Sequence, residues 1–229
     1  EMSVAQPQVI FKEIDGKNCE PIEILHVDVP DEHSGKIIEI AGVRRGEMID
    51  MQVHGNRKTI QFNIPTRGLI GLRSKMLTAS AGEAIVTHRF LSYEPYKGEI
   101  TQRLNGVLIS QGKGPAVPFA IDGLQQRGVF FVNPGEECYE GMVVAEHCLE
   151  NDLVVNLQKS KQLTNIRASG TDRAMKIAPA QLKSLEEALE YIDSQELVEI
   201  TPKCIRMRKK LLSENDRKRQ KRIKEKSSR

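Results

Sequence analysis

Between Glu20 and Pro95 the apolar residues switch repeatedly between a strand period and a helix period, and that order restricts the fold more than any other feature of the chain. Leu25, Val27 and Val29 alternate against Ile24, His26 and Asp28, so Ile22 to Val29 reads as a strand with one apolar face. Pro30-Asp31-Glu32 is a helix start, because acidic side chains favour the positive end of the helix dipole. Ile37, Ile40 and Ala41 follow at helical spacing, and Gly46 behind Arg44-Arg45 is the stop. Ile49, Met51 and Val53 then alternate against Met48, Asp50 and Gln52. His54-Gly55-Asn56 turns the chain, and Ile60, Phe62 and Ile64 alternate across Thr59 to Ile64, which predicts a hairpin. Beyond Pro65, the spacing of Leu69, Leu72, Met76 and Leu77 predicts a second helix ending near Gly82, and Ala84 to Leu91 is a last strand. The order β-α-β-β-α-β is that of the ferredoxin-like fold. Two amphipathic helices cover one face of its four-stranded sheet, and the other face is left to partners or neighbouring domains.

The flanking segments read differently. Val4 to Ile14 is a strand broken by Pro7, with no helix or partner strand before it, so residues 1–19 are expected to be the end of a preceding domain. After Tyr96 short apolar runs are separated by Gly, Pro and Asn: Gly106 to Ile109, Val117 to Ile121, Val129 to Phe131, Met142 to Ala145 and Leu153 to Leu157. Leu197 to Ile200 and Cys204 to Arg208 complete the set. One helix interrupts it, opened by the capping box Ser184/Glu187 and carrying Leu185, Ala188, Leu189 and Ile192. The expectation for residues 96–212 is a mostly-β, irregular barrel-like domain with one helix, which makes the whole chain α+β. From Ser213 onward only Ile223 is apolar, so residues 213–229 can form no core and are expected to be a basic, disordered tail or a solvated helix.

Composition and motifs narrow the chemistry. Cysteines stand at 19, 138, 148 and 204 and histidines at 26, 33, 54, 88 and 147, without the pairing that a metal site or disulfide framework needs. Free thiols suit a reducing, cytoplasmic setting. The longest apolar runs, such as Met142-Val143-Val144-Ala145, are far short of the roughly 20 residues of a membrane helix, and the N-terminal residues lack a signal-peptide pattern. GxxxxGK[ST], GxGxxG, GxSxG and HExxH are absent. Gly112-Lys113-Gly114 is too short for a phosphate loop and runs into Pro115, which has no N–H to donate. Glu136-Glu137 and Glu186-Glu187 read as surface charge. No residue of this chain is assigned a catalytic role.

The net charge of +3 conceals an asymmetry: residues 201–229 hold 13 Lys or Arg against 3 Asp or Glu, leaving −7 on residues 1–200. Such a segment suits a polyanion, and each phosphate it neutralises releases counterions in a sequence-blind, salt-dependent way. Two stretches are candidates for RNA contact. Gln158 to Lys176 mixes Lys159, Lys161, Arg167, Arg173 and Lys176 with Ser160, Thr164, Asn165, Ser169, Gly170 and Thr171, a composition fitted to phosphate and 2′-OH contacts and equally to an exposed mobile loop. Lys203 to Arg229 leads through Arg206, Arg208, Lys209 and Lys210 into Arg217-Lys218-Arg219 and Lys221-Arg222, with no aromatics for base stacking; a solubilising tail is the plainer alternative.

Several longer strings carry a resemblance. Ile64 to Met76 (IPTRGLIGLRSKM), Asn165 to Arg173 (NIRASGTDR), Gln102 to Gln111 (QRLNGVLISQ), Tyr139-Glu140-Gly141 and Glu196 to Arg208 (ELVEITPKCIRMR) are similar to the C-terminal half of the BipA (TypA) family of translational GTPases, relatives of elongation factor G. Residues 20–95 resemble domain V of elongation factor G, including Tyr93-Glu94-Pro95, and residues from 96 onward resemble the C-terminal domain peculiar to the family. The resemblance implies a parent that hydrolyses GTP with Mg in an N-terminal domain lying outside this chain. It implies binding to the ribosome, large-subunit rRNA and A-site tRNA, with a role in ribosome biogenesis or in growth under stress. The loop from Lys159 to Arg173 matches the segment the family uses at the acceptor end of the tRNA. On this reading the chain is a monomeric, cytoplasmic, ribosome-associated fragment that binds no cofactor of its own and neither membrane nor DNA. The alternative is a stand-alone RNA-binding or protein-interaction module without a GTPase parent.

Overall fold

The computed structural model of the chain describes residues 2–100, 103–160 and 176–227. It forms two compact units: Pro7–Gln102 is one, and Arg103–Arg229 together with Glu1–Gln6 is the other. The first strand, β1 (Met2–Val4), belongs to the second unit, where it pairs with residues 198–200. The segment 1–19 thus divides between the two units. Its first residues extend one sheet, and β2 (Lys12–Ile14) folds back on residues 17–19 of the other.

The unit Pro7–Gln102 continues through β3 (Lys17–Pro30), α1 (Asp31–Val43), β4 (Glu47–His54), β5 (Arg57–Pro65), α2 (Leu72–Ala79) and β6 (Ile85–Pro95). All pairings are antiparallel, in the order β6-β3-β5-β4, which is the ferredoxin-like arrangement. Leu25, Val27, Val29, Ile60, Phe62 and Ile64 face Ile37 and Ala41 of α1 and Leu72 and Met76 of α2 in one core. Each of these larger side chains contributes about 1.5–3 kcal/mol by its burial. Helix α1 begins where the acidic turn placed it, with Asp31 paired to Lys58 at 2.5 Å. Its end is made by Arg45 rather than by glycine, since Arg45 takes the left-handed conformation at φ +61°. The second helix is shorter than the spacing predicts: Thr66–Leu69 is a tight 3-10 turn, and Gly71, at φ +69°, resets the backbone before α2. On β4 a bulge between Met48 and Asp50 puts Met48, not Ile49, in phase with Met51 and Val53.

The second unit adds β7 (Val107–Ser110), β8 (Gly114–Pro115), α3 (Pro118–Leu124), β9 (Gly128–Phe130), β10 (Glu137–Cys138), β11 (Met142–His147), β12 (Leu153–Val155), α4 (Leu185–Tyr191), β13 (Glu196–Ile200), β14 (Ile205–Lys209) and α5 (Glu214–Ser227). The expected barrel is an open sheet in the order β1-β13-β14-β11-β7-β12, with β9 also on β11 and a separate β8–β10 pair. Both faces are covered. Val107, Ile109, Val143, Val198 and Met207 pack with Ala188 and Ile192 from α4 and its end. Leu108, Met142 and Val144 pack on the other side with Ile121 of α3 and with Cys138. A sheet buried on both faces needs unbroken apolar runs, as in Val107–Ile109 and Met142–Ala145, and has no use for closure.

One further expectation changes. Val117–Ile121 is not a strand: Pro118 occupies the first helical turn, where its missing N–H costs nothing, and α3 follows. The basic tail takes the helical of its two alternatives over Glu214–Ser227, giving three α-helices in this unit among the described residues. Glu214 and Asp216 sit at the positive end of α5, Lys218 pairs with Glu214 at 2.5 Å, and Arg217 donates to the carbonyl of Leu211 at 2.9 Å. Helix α4 has the capping box read from Ser184 and Glu187.

Candidate nucleic-acid interface

Strands β13 and β14 form a hairpin in which Val198 and Met207 point to one face and the register pairs Glu199 with Arg206 and Leu197 with Arg208 on the other. Arg206 and Arg208 are half-buried and Lys210 is exposed. Part of Arg208 is committed inside the unit: Nε lies 3.7 Å from Glu199, and Nη2 donates to Ser3 Oγ at 3.2 Å. Glu199 also accepts from the Tyr139 hydroxyl at 2.6 Å, and burial together with that carboxylate raises the phenol well above its usual range.

Lys209 is a correction to the sequence reading. Its ammonium is buried, 2.7 Å from Glu196 and 2.6 Å from Asp152, and is spent on internal carboxylates rather than free for phosphate. Glu196 is itself fully buried and bound in bidentate fashion by Arg103 at 2.9 and 3.0 Å. Burial opposes a charge there, but Arg103 and Lys209 outweigh it and hold the Glu196 carboxyl below the usual carboxylate range.

The loop candidates divide. Lys159 and Lys176 are exposed, and the carbonyl of Lys176 accepts from Gln125 at 3.0 Å. Lys161, Thr164, Asn165, Arg167, Ser169, Thr171 and Arg173 lie outside the described residues. In the Gly112–Gly114 turn, the Gly114 carbonyl accepts from Gln158 at 3.3 Å.

Helix α5 presents Lys218, Arg219, Lys221, Arg222 and Lys226 as exposed cations. Its approach is set at Tyr139-Glu140-Gly141. Gly141 has φ +85°, and a Cβ there would stand 2.6 Å from the Leu212 Cα, so only glycine lets the chain leaving β14 pass.

A groove of about 700 Å³ opens beside this hairpin, bordered by Phe131, Met142, Lys183, Ile200, Lys203 and Arg206 among others. Lys183 was not singled out by composition. Lys183 stands alone before a helix cap and belongs to no charge run, whereas Lys203 is the first residue of the run Lys203 to Arg229.

Known proteins are similar to this chain in sequence. The segment 105–214 matches the family described as TypA/BipA C-terminal domain, and 17–104 matches the one described as Elongation factor G C-terminus. Residues 105–214 belong to the TypA/BipA C-terminal domain family. A relative from Bacillus subtilis named large ribosomal subunit assembly factor BipA is 48% identical over 219 residues, covering 95% of this chain. Relatives of the same name from Salmonella typhimurium and Escherichia coli K12 are 48% and 47% identical over 221 residues. The chain spans 36% of the length of these BipA relatives. The two matched segments meet at residues 104 and 105, beside the boundary between the compact units at Gln102 and Arg103.

The string IPTRGLIGLRSKM, which carries much of the TypA/BipA resemblance, is a structural staple in this fold. Arg67 binds the buried Glu20 at 2.5 and 3.1 Å, also donates to the Gly98 carbonyl, and lies 4.5 Å over the Tyr96 ring. Thr66 Oγ1 is 2.9 Å from Glu23. A Cβ on Gly68 would stand 2.7 Å from the Arg44 carbonyl oxygen, so the turn seats directly against the end of α1.

Proposed function

We propose that this chain is the ribosome-engaging part of a large-subunit assembly factor. The C-terminal unit contacts large-subunit rRNA and the acceptor end of A-site tRNA, and GTP hydrolysis is the task of residues elsewhere in a longer parent. The carrying observation is the exposed positive charge concentrated at the C-terminal end of this unit. Lys159, Lys176, Lys210 and five cations of α5 are exposed, whereas Glu196 is turned inward onto Arg103 and Lys209. The names of the BipA relatives support the ribosomal setting. Arg206 and Arg208 add contacts from the hairpin, and the segment from Lys161 to Arg173 adds more. No helix among the described residues is long and apolar enough to cross a membrane.

The test is co-sedimentation of the chain with purified large subunits across a salt series. Binding weakens steeply with salt, and neutralising Lys159, Lys161, Arg167 and Arg173 together flattens the logarithmic slope by about three, at roughly 0.7–0.9 for each phosphate no longer neutralised. Salt-independent binding, or a quadruple variant that binds like the parent, overturns the assignment.

A further inference from the structure

The groove beside the β13–β14 hairpin has an unusual origin. On β11, Val143 pairs with both β7 and β14, and Ala145 pairs with both β7 and β9. Strands β14 and β9 therefore share the same edge of β11, end to end, and the sheet forks where they part. Phe131 and Val132 leave on one side of the fork, and Cys204 to Arg206 arrive on the other. The two cores meet at the gap, so Met142 from one and Val143 and Met207 from the other border the same space while staying buried.

Its chemistry is asymmetric. The floor is apolar, and the rim carries Lys183, Lys203 and Arg206 against the single carboxylate of Glu136, which already accepts from the Asn133 N–H at 3.1 Å. Lys183 is held 5.1 Å over the Phe131 ring and 4.7 Å over the Tyr191 ring, so its charge is fixed at the groove rather than free in solvent. Arg206 Nε is sealed from water and has no hydrogen-bond partner. That Nε is out of reach of a ligand in the groove, so contact with an anion falls to the rest of the guanidinium, which borders it. The volume falls within the range of small-ligand sites, about 300–1,000 Å³.

We infer that this fork is a pocket for one unstacked RNA nucleotide, its phosphate on Arg206, Lys203 and Lys183 and its base against the apolar floor. The inference deepens the RNA-binding reading above and rests on it. A duplex cannot enter a gap between two strands, so the pocket selects single-stranded or flipped nucleotides, as RNA readers commonly do.

Two measurements on the 229-residue chain test it. In the first, adenosine monophosphate is titrated into protein carrying labelled methionine methyls. Met142 and Met207 border the fork, and their signals shift saturably, while Arg206→Met abolishes the shift. In the second, anisotropy compares a single-stranded oligoribonucleotide with a hairpin of equal length. Arg206→Met, and independently the exposed-site variant Lys203→Glu, weaken the single strand about tenfold or more, the scale of one charge-assisted hydrogen bond, and the hairpin much less. The Lys203 variant guards against a folding defect at Arg206. Unmoved methyls, equal losses for both RNAs, or a shift produced by a peptide with a free C-terminal carboxylate and not by the nucleotide overturn the pocket. If the parent chain binds neither RNA at low salt, it is the broader function that fails instead.

Discussion

Lys209 and Lys210 are adjacent and chemically identical, yet their substitution by methionine should have opposite consequences. Lys209→Met removes an ammonium that is buried and touches Glu196 at 2.7 Å and Asp152 at 2.6 Å. Asp152 is 40% exposed and can recover water, so most of the loss falls on Glu196, which has no exposure and keeps Arg103 as its partner. Breaking a buried pair costs about 3–5 kcal/mol when nothing replaces the partner. With Arg103 retained and methionine filling the space, the lower end, about 3 kcal/mol, is expected. Lys210→Met removes an exposed ammonium and should change stability by less than about 0.5 kcal/mol. The assay is urea unfolding of each variant alongside RNA binding across a salt series. Lys209→Met lowers the midpoint of the C-terminal unit and leaves the salt slope of the folded protein unchanged. Lys210→Met leaves the midpoint in place and reduces the slope by about 0.7–0.9, the share of a single phosphate. A Lys209→Met protein that is as stable as its parent and binds RNA more weakly would refute the view that this lysine is spent inside the fold.

The same network predicts an acid limb. Because the Glu196 pKa is depressed by folding, its contribution is present above the ordinary value of 4.5 and is lost as pH falls below it through the folded value; Glu196→Gln should flatten that part of the stability–pH curve. In the ferredoxin-like unit, Phe62→Ala should cost about 3–5 kcal/mol, measured by urea unfolding, since Phe62 is among the largest fully buried side chains. Gly141→Ala forces a left-handed backbone and a 2.6 Å contact with Leu212, so the C-terminal unit should melt several degrees lower by calorimetry.

The ferredoxin-like unit was legible because its sheet has one buried face, and one buried face writes a clean alternation: Leu25, Val27 and Val29, then Ile60, Phe62 and Ile64. Where the alternation misled, at Ile49, a bulge had shifted the phase of an exposed edge strand. The second unit was harder because both faces of its sheet are covered, and Val107–Ile109 then carries no phase to read. Short runs between glycines look the same in a barrel and in an open sheet.

The charge run from Lys203 to Arg229 was plain in the sequence and correctly marks a cationic surface, because most of its described residues are in fact exposed. Which members of that run are free was not. Lys209 meets Glu196 across a hairpin, and Glu196 is held by Arg103 from 93 residues earlier. The fork between β9 and β14 likewise joins Phe131 to Arg206 through their shared neighbour β11. Local periodicity and composition determined the first fold and the sign of the surface charge, since each is carried by residues near one another in sequence. The fate of each charge and the existence of the groove were decided by the tertiary structure, since burial and ion pairing depend on which distant segments meet.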